Sequence, residues 1–382
     1  MNEIVYLGYY TCPEIYSEKR YNSPAAVNKM NYISYAINSI GYKVRIVSNS
    51  GTTLDKTFPG RIICLNEKLN VCFFKTVGGK SLFKRALNLI QKTCRIIKFF
   101  SGVSKDSVVV VYYSIGYMNV IFLLKKIIKF HMILEVEEIY SDVLQNERMK
   151  KSELRLFKEA DAFIFSTQLL DTAINQEKKP SVVINGTYQV EENRKGKIFN
   201  DDKIHVVYAG TLDPRKGGAA AVAAAKFLPE NYHIHILGFG TNEQIENIKS
   251  IIEQNSDKKT AEVSYDGLLS GEEYIRFLRS CDIGLSTQNP DATFNGTSFP
   301  SKILSYMANG LRVVSIDIES VRESEVGDLI TYYDEQLPEN IAKAIESVDM
   351  SFPYDSRQRL MELNQKFQKE MGKLIEDISH ES

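Results

Sequence analysis

His205-Val-Val-Tyr-Ala-Gly-Thr-Leu-Asp-Pro-Arg-Lys-Gly-Gly218 leaves a chain little choice of local fold. Its apolar run reads as a strand that stops at Gly210, turns through Asp213-Pro214 and enters an alanine-rich helix behind a glycine pair. Strand, tight loop and helix start in that order make an anion site. First-turn N–H groups have no partner within the helix, and the helix dipole adds positive charge. Gly217 and Gly218 let a ligand approach the backbone, while Arg215 and Lys216 bring full charge. The same residues would also suit an ordinary strand–helix unit whose Arg and Lys face water.

The strand–helix rhythm runs through the chain. Residues 4–8, a helix opened by Ser23-Pro24 and stopped by Gly41, and the run Lys43–Ser48 form a first βαβ unit, the mark of a parallel sheet. The loop from Leu7 to Arg20 reads either as acceptor-contacting or as merely exposed and polar. Further strands are expected at 61–65, 71–75 and 107–113, within the stretch Met132–Tyr140, and at 162–166 and 182–185. In the second half they are expected around Val206, at 232–238, at 262–265 and over Ile283–Ser286 and Arg312–Ile316, with helices between. Residues 354–379 read as a long helix with Leu360, Leu363, Phe367, Met371, Leu374 and Ile378 on one side. The length of 382 residues admits two to three domains. The expected division is 1–190, a polar linker at 191–203, 204–353, and a final helix at 354–382 packing back on the first domain.

Charge divides the chain as sharply as pattern does. Residues 1–199 carry 29 Lys and Arg against 18 Asp and Glu, and the remainder 18 against 30. One half is therefore built to meet an anionic surface or ligand. Lys80, Lys84, Arg85, Lys92, Arg95 and Lys98 fall on one side of a helical wheel. Leu82, Phe83, Ala86, Leu87, Leu89, Ile90, Cys94, Ile96 and Ile97 fall on the other. With Lys125, Lys126 and Lys129 in a later helix, the pattern suits an anionic membrane surface, or helices that cover a sheet with lysines in water. No aromatic stacking motif accompanies the charge, so nucleic acid is not an expected partner. The five cysteines lack CxxC spacing and imply neither a disulfide frame nor a zinc site. No run of ~18 apolar residues spans a membrane, and no signal-peptide pattern opens the sequence, so a cytoplasmic chain is expected.

Two further stretches carry chemistry. Met132-Ile-Leu-Glu-Val-Glu-Glu-Ile-Tyr140 ends a strand in carboxylates. Adjacent residues point to opposite faces, so Glu137 and Glu138 cannot serve one site alike; one can act on a sugar hydroxyl while the other pairs with a base, or both can be structural. Asp291-Ala-Thr-Phe-Asn-Gly-Thr-Ser-Phe-Pro-Ser-Lys302 is a polar loop feeding a helix, with Pro300 suited to the first turn. Two lysine-bearing loops in one domain suit a diphosphate. Gly238-Phe-Gly240 lacks the third glycine of a dinucleotide fingerprint.

These residues resemble the retaining GT-B glycosyltransferases of family 4, and among them the bacterial surface-polysaccharide type with a Phe-Pro-Ser-Lys segment. The resemblance implies an α/β chain of two facing Rossmann-like domains with parallel sheets, and a C-terminal helix crossing back to the first. It implies transfer of a sugar from a nucleotide-diphosphate sugar to a lipid-linked glycan acceptor, without a metal ion or other cofactor. It further implies a location at the inner face of the cell membrane. Lys216 matches the lysine on the donor diphosphate and Glu137 stands where relatives have a histidine near the reacting sugar. Gly210, Thr211, Arg215, Gly217, Gly238, Gly267, Thr297, Ser298, Phe299, Pro300, Ser301, Lys302 and Ser305 would line the donor site. Thr211 replaces a common arginine, for which Arg215 can substitute; Thr297 and Ser305 replace the family's two glutamates. Those losses leave a second reading, a catalytically silent subunit that stabilises an active partner in a homo- or hetero-oligomer.

Overall fold

The computed structural model describes residues 3–79, 82–190, 198–254, 259–290 and 297–380, with the side chains of 82–87 and 380 left aside. The chain divides into two compact units, Met1–Thr187 with Gln365–Ser382, and Tyr188–Asn364. The expected tail helix thus begins in the second unit and contributes only its later part to the first. Of the expected linker, 191–197 lies outside the described residues. Its far end belongs to the second unit, where the Ile198 N–H donates to Ser280 Oγ (2.9 Å).

In the first unit, valine and isoleucine runs become parallel strands because both faces of the sheet are covered by helices. The strands are β1 (Glu3–Gly8), β2 (Lys43–Ser48), β3 (Thr57–Phe58), β4 (Arg61–Asn66), β5 (Leu69–Phe73), β6 (Thr76–Val77), β7 (Val108–Tyr112), β8 (His131–Val136), β9 (Ala162–Phe165) and β10 (Ser181–Val183). The helices are α1 (Pro24–Ser39), α2 (Leu82–Phe100), α3 (Met118–Ile128), α4 (Tyr140–Val143), α5 (Glu147–Glu159) and α6 (Gln168–Ile174). Among the described residues the main sheet runs β10-β9-β8-β7-β1-β2-β5-β4, parallel except for the terminal β4–β5 pair. Strand order reverses at β1.

The loop after β1 is only partly exposed. Residues Pro13–Glu18 form a 3-10 turn, and Arg20 and Glu18 are buried as an ion pair (2.7 Å). The basic helices also differ from expectation. Ile96 and Phe100 of α2 enter the core, but Leu89, Ile90 and Ile97 remain on the surface, as do Leu123 and Ile127 of α3. Lys92 and Arg95 are half-buried, and Arg95 donates to the Lys75 carbonyl. Lys125 pairs with Asp161 (2.5 Å) and Lys126 with Glu159 (2.6 Å), so these two cations are already neutralised.

The second unit contains β11 (Ile204–Thr211), α7 (Gly218–Ala224), β12 (Tyr232–Phe239), α8 (Asn242–Gln254), β13 (Glu262–Gly267), α9 (Gly271–Leu278), β14 (Ile283–Ser286), α10 (Lys302–Ala308), β15 (Arg312–Ile316), α11 (Glu319–Arg322), β16 (Ile330–Tyr333) and α12 (Pro338–Glu346). Its sheet is wholly parallel, in the order β13-β12-β11-β14-β15-β16. The last helix, α13 (Ser356–His380), buries Leu360, Leu363, Phe367, Met371, Leu374 and Ile378, as the wheel predicts. Phe367 stacks on Tyr32 of α1 at 5.5 Å within the first unit.

Candidate active site

The second sheet changes direction between β11 and β14, and ligands of open parallel sheets sit beyond the carboxyl ends of strands at such a point. Here β11 ends at Gly210-Thr211, and β14 is followed by Thr287. The loop after β11 makes a single 3-10 turn, Pro214–Lys216, and then Gly217 at φ +83°. A Cβ on Gly217 would lie 1.5 Å from the Thr287 carbonyl oxygen, so only glycine fits this conformation and contact. The Thr287 hydroxyl donates to the Gly217 carbonyl (2.8 Å), and the Asn289 N–H donates to the Arg215 carbonyl (2.9 Å). The two loops at the reversal are thus knit together.

Lys302 dominates the electrostatics. Its Nζ is shut off from solvent and has no hydrogen-bond partner among the described residues, although its stem is half-buried. It lies over the Tyr208 ring, 3.9 Å from the centroid, and 3.1 Å from where a Gly210 Cβ would stand. Burial, and then the charge of nearby Lys216, push its pKa down to about 7. A buried cation supported by one aromatic face is costly unless an anion completes it. Tyr208 is itself fixed, its hydroxyl within hydrogen-bond reach of the Thr211 (2.9 Å) and Lys216 (3.0 Å) carbonyls. Tyr306 of α10 accepts from the Ala209 N–H (2.8 Å), and Gly284 leaves the room that its ring fills.

These contacts bring Gly210, Thr211, Lys216, Gly217 and Lys302 to one place. Gly238 belongs there for a packing reason, since its absent Cβ would lie 1.8 Å from the Gly210 carbonyl oxygen. Arg215 differs from expectation. Its exposed guanidinium grips Asp213 at 2.7 and 3.0 Å and holds that carboxyl down to about 2. The pair is neutral overall, so Arg215 is a poor substitute for the arginine that Thr211 displaces. Helix dipoles also count for less than expected, because α7 and α10 are only seven residues each and Pro300 precedes α10. Phe299 is buried, Ser301 is exposed at the N-cap of α10, and the Ser298 carbonyl accepts from Ser320 (2.8 Å). Ser305 faces the Tyr274 hydroxyl at 3.4 Å, whereas Gly267 ends β13, separated from β11 by β12. Thr297 is half-buried, and residues 291–296 of the same loop lie outside the described residues.

Residues 203–348 match the family described as Glycosyl transferases group 1. This stretch is similar to group 1 glycosyltransferase domains. No curated protein sequence matches the chain significantly. Among solved structures, a sucrose-phosphate synthase from Thermosynechococcus elongatus is similar over 100% of both chains, with TM-score 0.71 and 13% identity. A trehalose-6-phosphate protein from E. coli bound with UDP-2-fluoro glucose is similar over 99% of each chain, with TM-score 0.70 and 10% identity. A trehalose-6-phosphate synthase described in connection with glycosyl transfer with retention is similar over 98% of each, with TM-score 0.66 and 10% identity. The chain therefore has the GT-B fold, and Lys302 with the Gly210–Gly217 loop lies within the stretch that matches the family.

The first unit holds the other predicted residue. Glu137 follows β8 and pairs with Lys29 of α1 (2.5 Å), which also donates to the Ile184 carbonyl (3.1 Å). The residue missed from sequence is Glu135, two positions earlier on the same face. It is wholly buried, accepts from the Tyr6 hydroxyl, and its Oε1 has no hydrogen-bond partner among the described residues. Burial, and then the charge of Glu137, push its pKa up to about 8. The alternation of the strand placed Glu135 beside Glu137, but not the depth at which both stand.

Proposed function

We propose that this protein transfers a sugar from a nucleotide-diphosphate sugar to a glycan acceptor, with retention of configuration and without a metal ion. The observation that carries the reading is Lys302. A desolvated ammonium over Tyr208, beside Lys216 and at the mouth of the β11 loop, is a site prepared for an anion. Lys216, Lys302 and the N–H groups following Gly217 and Pro300 would meet the charge that grows on the departing diphosphate, which is where fixed positive groups lower a transfer barrier most. Glu137, already paired with Lys29, suits orienting a sugar hydroxyl better than removing its proton. The proton then leaves with the phosphate on the same face of the sugar, the retaining course.

Incubating the purified chain with UDP-, GDP- and dTDP-sugars tests this directly. One nucleotide should raise the melting temperature, and its sugar should be released or transferred. Binding of a nucleotide with no turnover on any donor or lipid acceptor would favour the silent subunit that Thr211, Thr297 and Ser305 suggest. No binding of any nucleotide-sugar would reject both.

The acceptor in this reading is a lipid-linked precursor of a bacterial surface polysaccharide, of the kind family 4 enzymes extend, reached from the inner face of the membrane. Leu89, Ile90 and Ile97 on α2, with Leu123 and Ile127 on α3, are exposed beside the surface cations Lys98 and Lys129. Exposed apolar side chains beside cations suit an anionic interface, each charge near it being worth about 1 kcal/mol. Wild-type protein should float with vesicles rich in phosphatidylglycerol. Ile90→Asp/Ile97→Asp/Lys98→Glu should lower the bound fraction at least tenfold; equal flotation would sink the membrane assignment.

A further inference from the structure

Three of the five histidines in the chain meet on one face of the second sheet. His205 opens β11, and His233 and His235 alternate on β12, where the parallel register sets His205 beside His233. Three positions separate His205 from Tyr208, so this face is the opposite one from Tyr208 and Lys302. His205 and His235 are buried, and a ligating nitrogen of each of the three rings lies within 4.8 Å of the others.

The arrangement has an inner and an outer layer. Inside, His205 Nδ1 faces His235 Nε2 at 2.9 Å. Outside, carboxylates hold the far nitrogens: Asp201 at 2.8 Å from His205 Nε2, and Asp266 at 3.2 Å from His235 Nδ1. His233 stacks on His235 at 3.9 Å, with its Nε2 3.0 Å from Ser264 and its Nδ1 3.7 Å from Glu262. Phe199 lies flat over His205 (4.0 Å) and His235 (4.7 Å), and Phe277 meets His235 edge-on. Two imidazoles that face each other, each backed by a carboxylate and covered by an apolar ring, have the layout that fixes the tautomer and basicity of metal-binding histidines, and His233 stacks alongside them.

We propose that His205, His233 and His235 form a binding site for a divalent cation of the zinc class. Neutral imidazoles suit zinc, and Asp201, Glu262 and Asp266 supply the negative charge that balances it. The 2.9 Å hydrogen bond between His205 and His235 needs one proton between its nitrogens. Zinc replaces that proton, and the proton leaves to solvent. Two nitrogens on a tetrahedral zinc stand about 3.3 Å apart at ~2.05 Å bonds, so the rings must part by only a few tenths of an ångström. His233 supplies the third nitrogen by turning about its Cβ–Cγ bond, and Glu262 or water the fourth ligand. The role is structural: the ion fastens the segment containing Phe199 and Asp201 to the sheet.

The test uses the full chain without a histidine tag, stripped with a chelator and loaded with Zn²⁺ alone. One equivalent should survive desalting, raise the melting temperature by several degrees and release about one proton. Co²⁺ in its place should give a tetrahedral visible spectrum. His205→Gln and His235→Gln should abolish retention. Should either fail to fold, Asp201→Asn decides, because its side chain is 45% exposed; it should weaken zinc binding about ten- to a hundredfold. No retained zinc and no change in melting for the wild type, or wild-type affinity in Asp201→Asn, would overturn the proposal.

Discussion

Lys302→Met should make the ligand-free protein more stable and nearly unable to hold a diphosphate. Methionine keeps the length of the side chain and its contact with Tyr208 while removing a charge that lies out of water with no hydrogen-bond partner among the described residues. Removing an uncompensated buried charge is worth on the order of 1–3 kcal/mol. Charged hydrogen bonds to a phosphate contribute about 1.5–3 kcal/mol, so affinity should fall roughly ten- to a hundredfold or more. Calorimetric melting and titration with nucleoside diphosphates measure the two effects on the same samples. A variant that melts lower and binds normally would remove Lys302 from the donor site.

The same lysine predicts a pH dependence. Its pKa of about 7 in the folded protein lies below the ordinary lysine value near 10.4. Between those values the unfolded chain binds a proton that the folded one does not, so this residue makes stability rise with pH across that window. If Lys302 grips the diphosphate as proposed, binding requires its protonated form and should weaken above pH 7, by up to about tenfold per unit. Titrations in buffers of different ionisation enthalpy should show proton uptake on binding, absent in Lys302→Met.

Glu135→Gln carries the second large effect, with the opposite slope. Glu135 holds its proton to about pH 8 when folded, whereas an unfolded glutamate releases it near 4.3. The folded state binds the extra proton between these values, so the residue makes stability fall as pH rises from about 4.3 to 8. Glutamine keeps an acceptor for Tyr6 and cannot ionise. It should be nearly neutral at pH 5 and stabilising by on the order of 3 kcal/mol at pH 8.5, a rise of roughly 6–12 °C in melting temperature. Equal shifts at both pH values would mean that Glu135 is not the titrating group.

Much of the fold was legible because its signals are local. The β-branched stretches at Lys43–Ser48 and Arg312–Ile316 and the short run Ile283–Ser286 are strands with those bounds, and every residue on the apolar side of the last helix's wheel is buried. Lys302 was legible as a lysine at the end of a polar loop, but its desolvation was not, since Tyr208 reaches it only through strand pairing. The pairing of Lys29 with Glu137 spans 108 positions, and no periodicity encodes it. Glu135 sits in a strand pattern equally suited to a solvent-facing carboxylate. The histidine cluster needed the β11–β12 register, while exposure of Leu89 and Ile90 depends on what α3 leaves uncovered.

The divided membership of α13 sets an order on synthesis. Met371, Leu374 and Ile378 complete the core of a unit whose other residues end at Thr187, and all of Tyr188–Asn364 is translated in between. At ~5–20 residues per second, the nascent first unit waits roughly ten to forty seconds for its last helix. All of the second unit is translated before the last helix of the first is finished. Until then an apolar strip along α1, around Tyr32, stays open to chaperones.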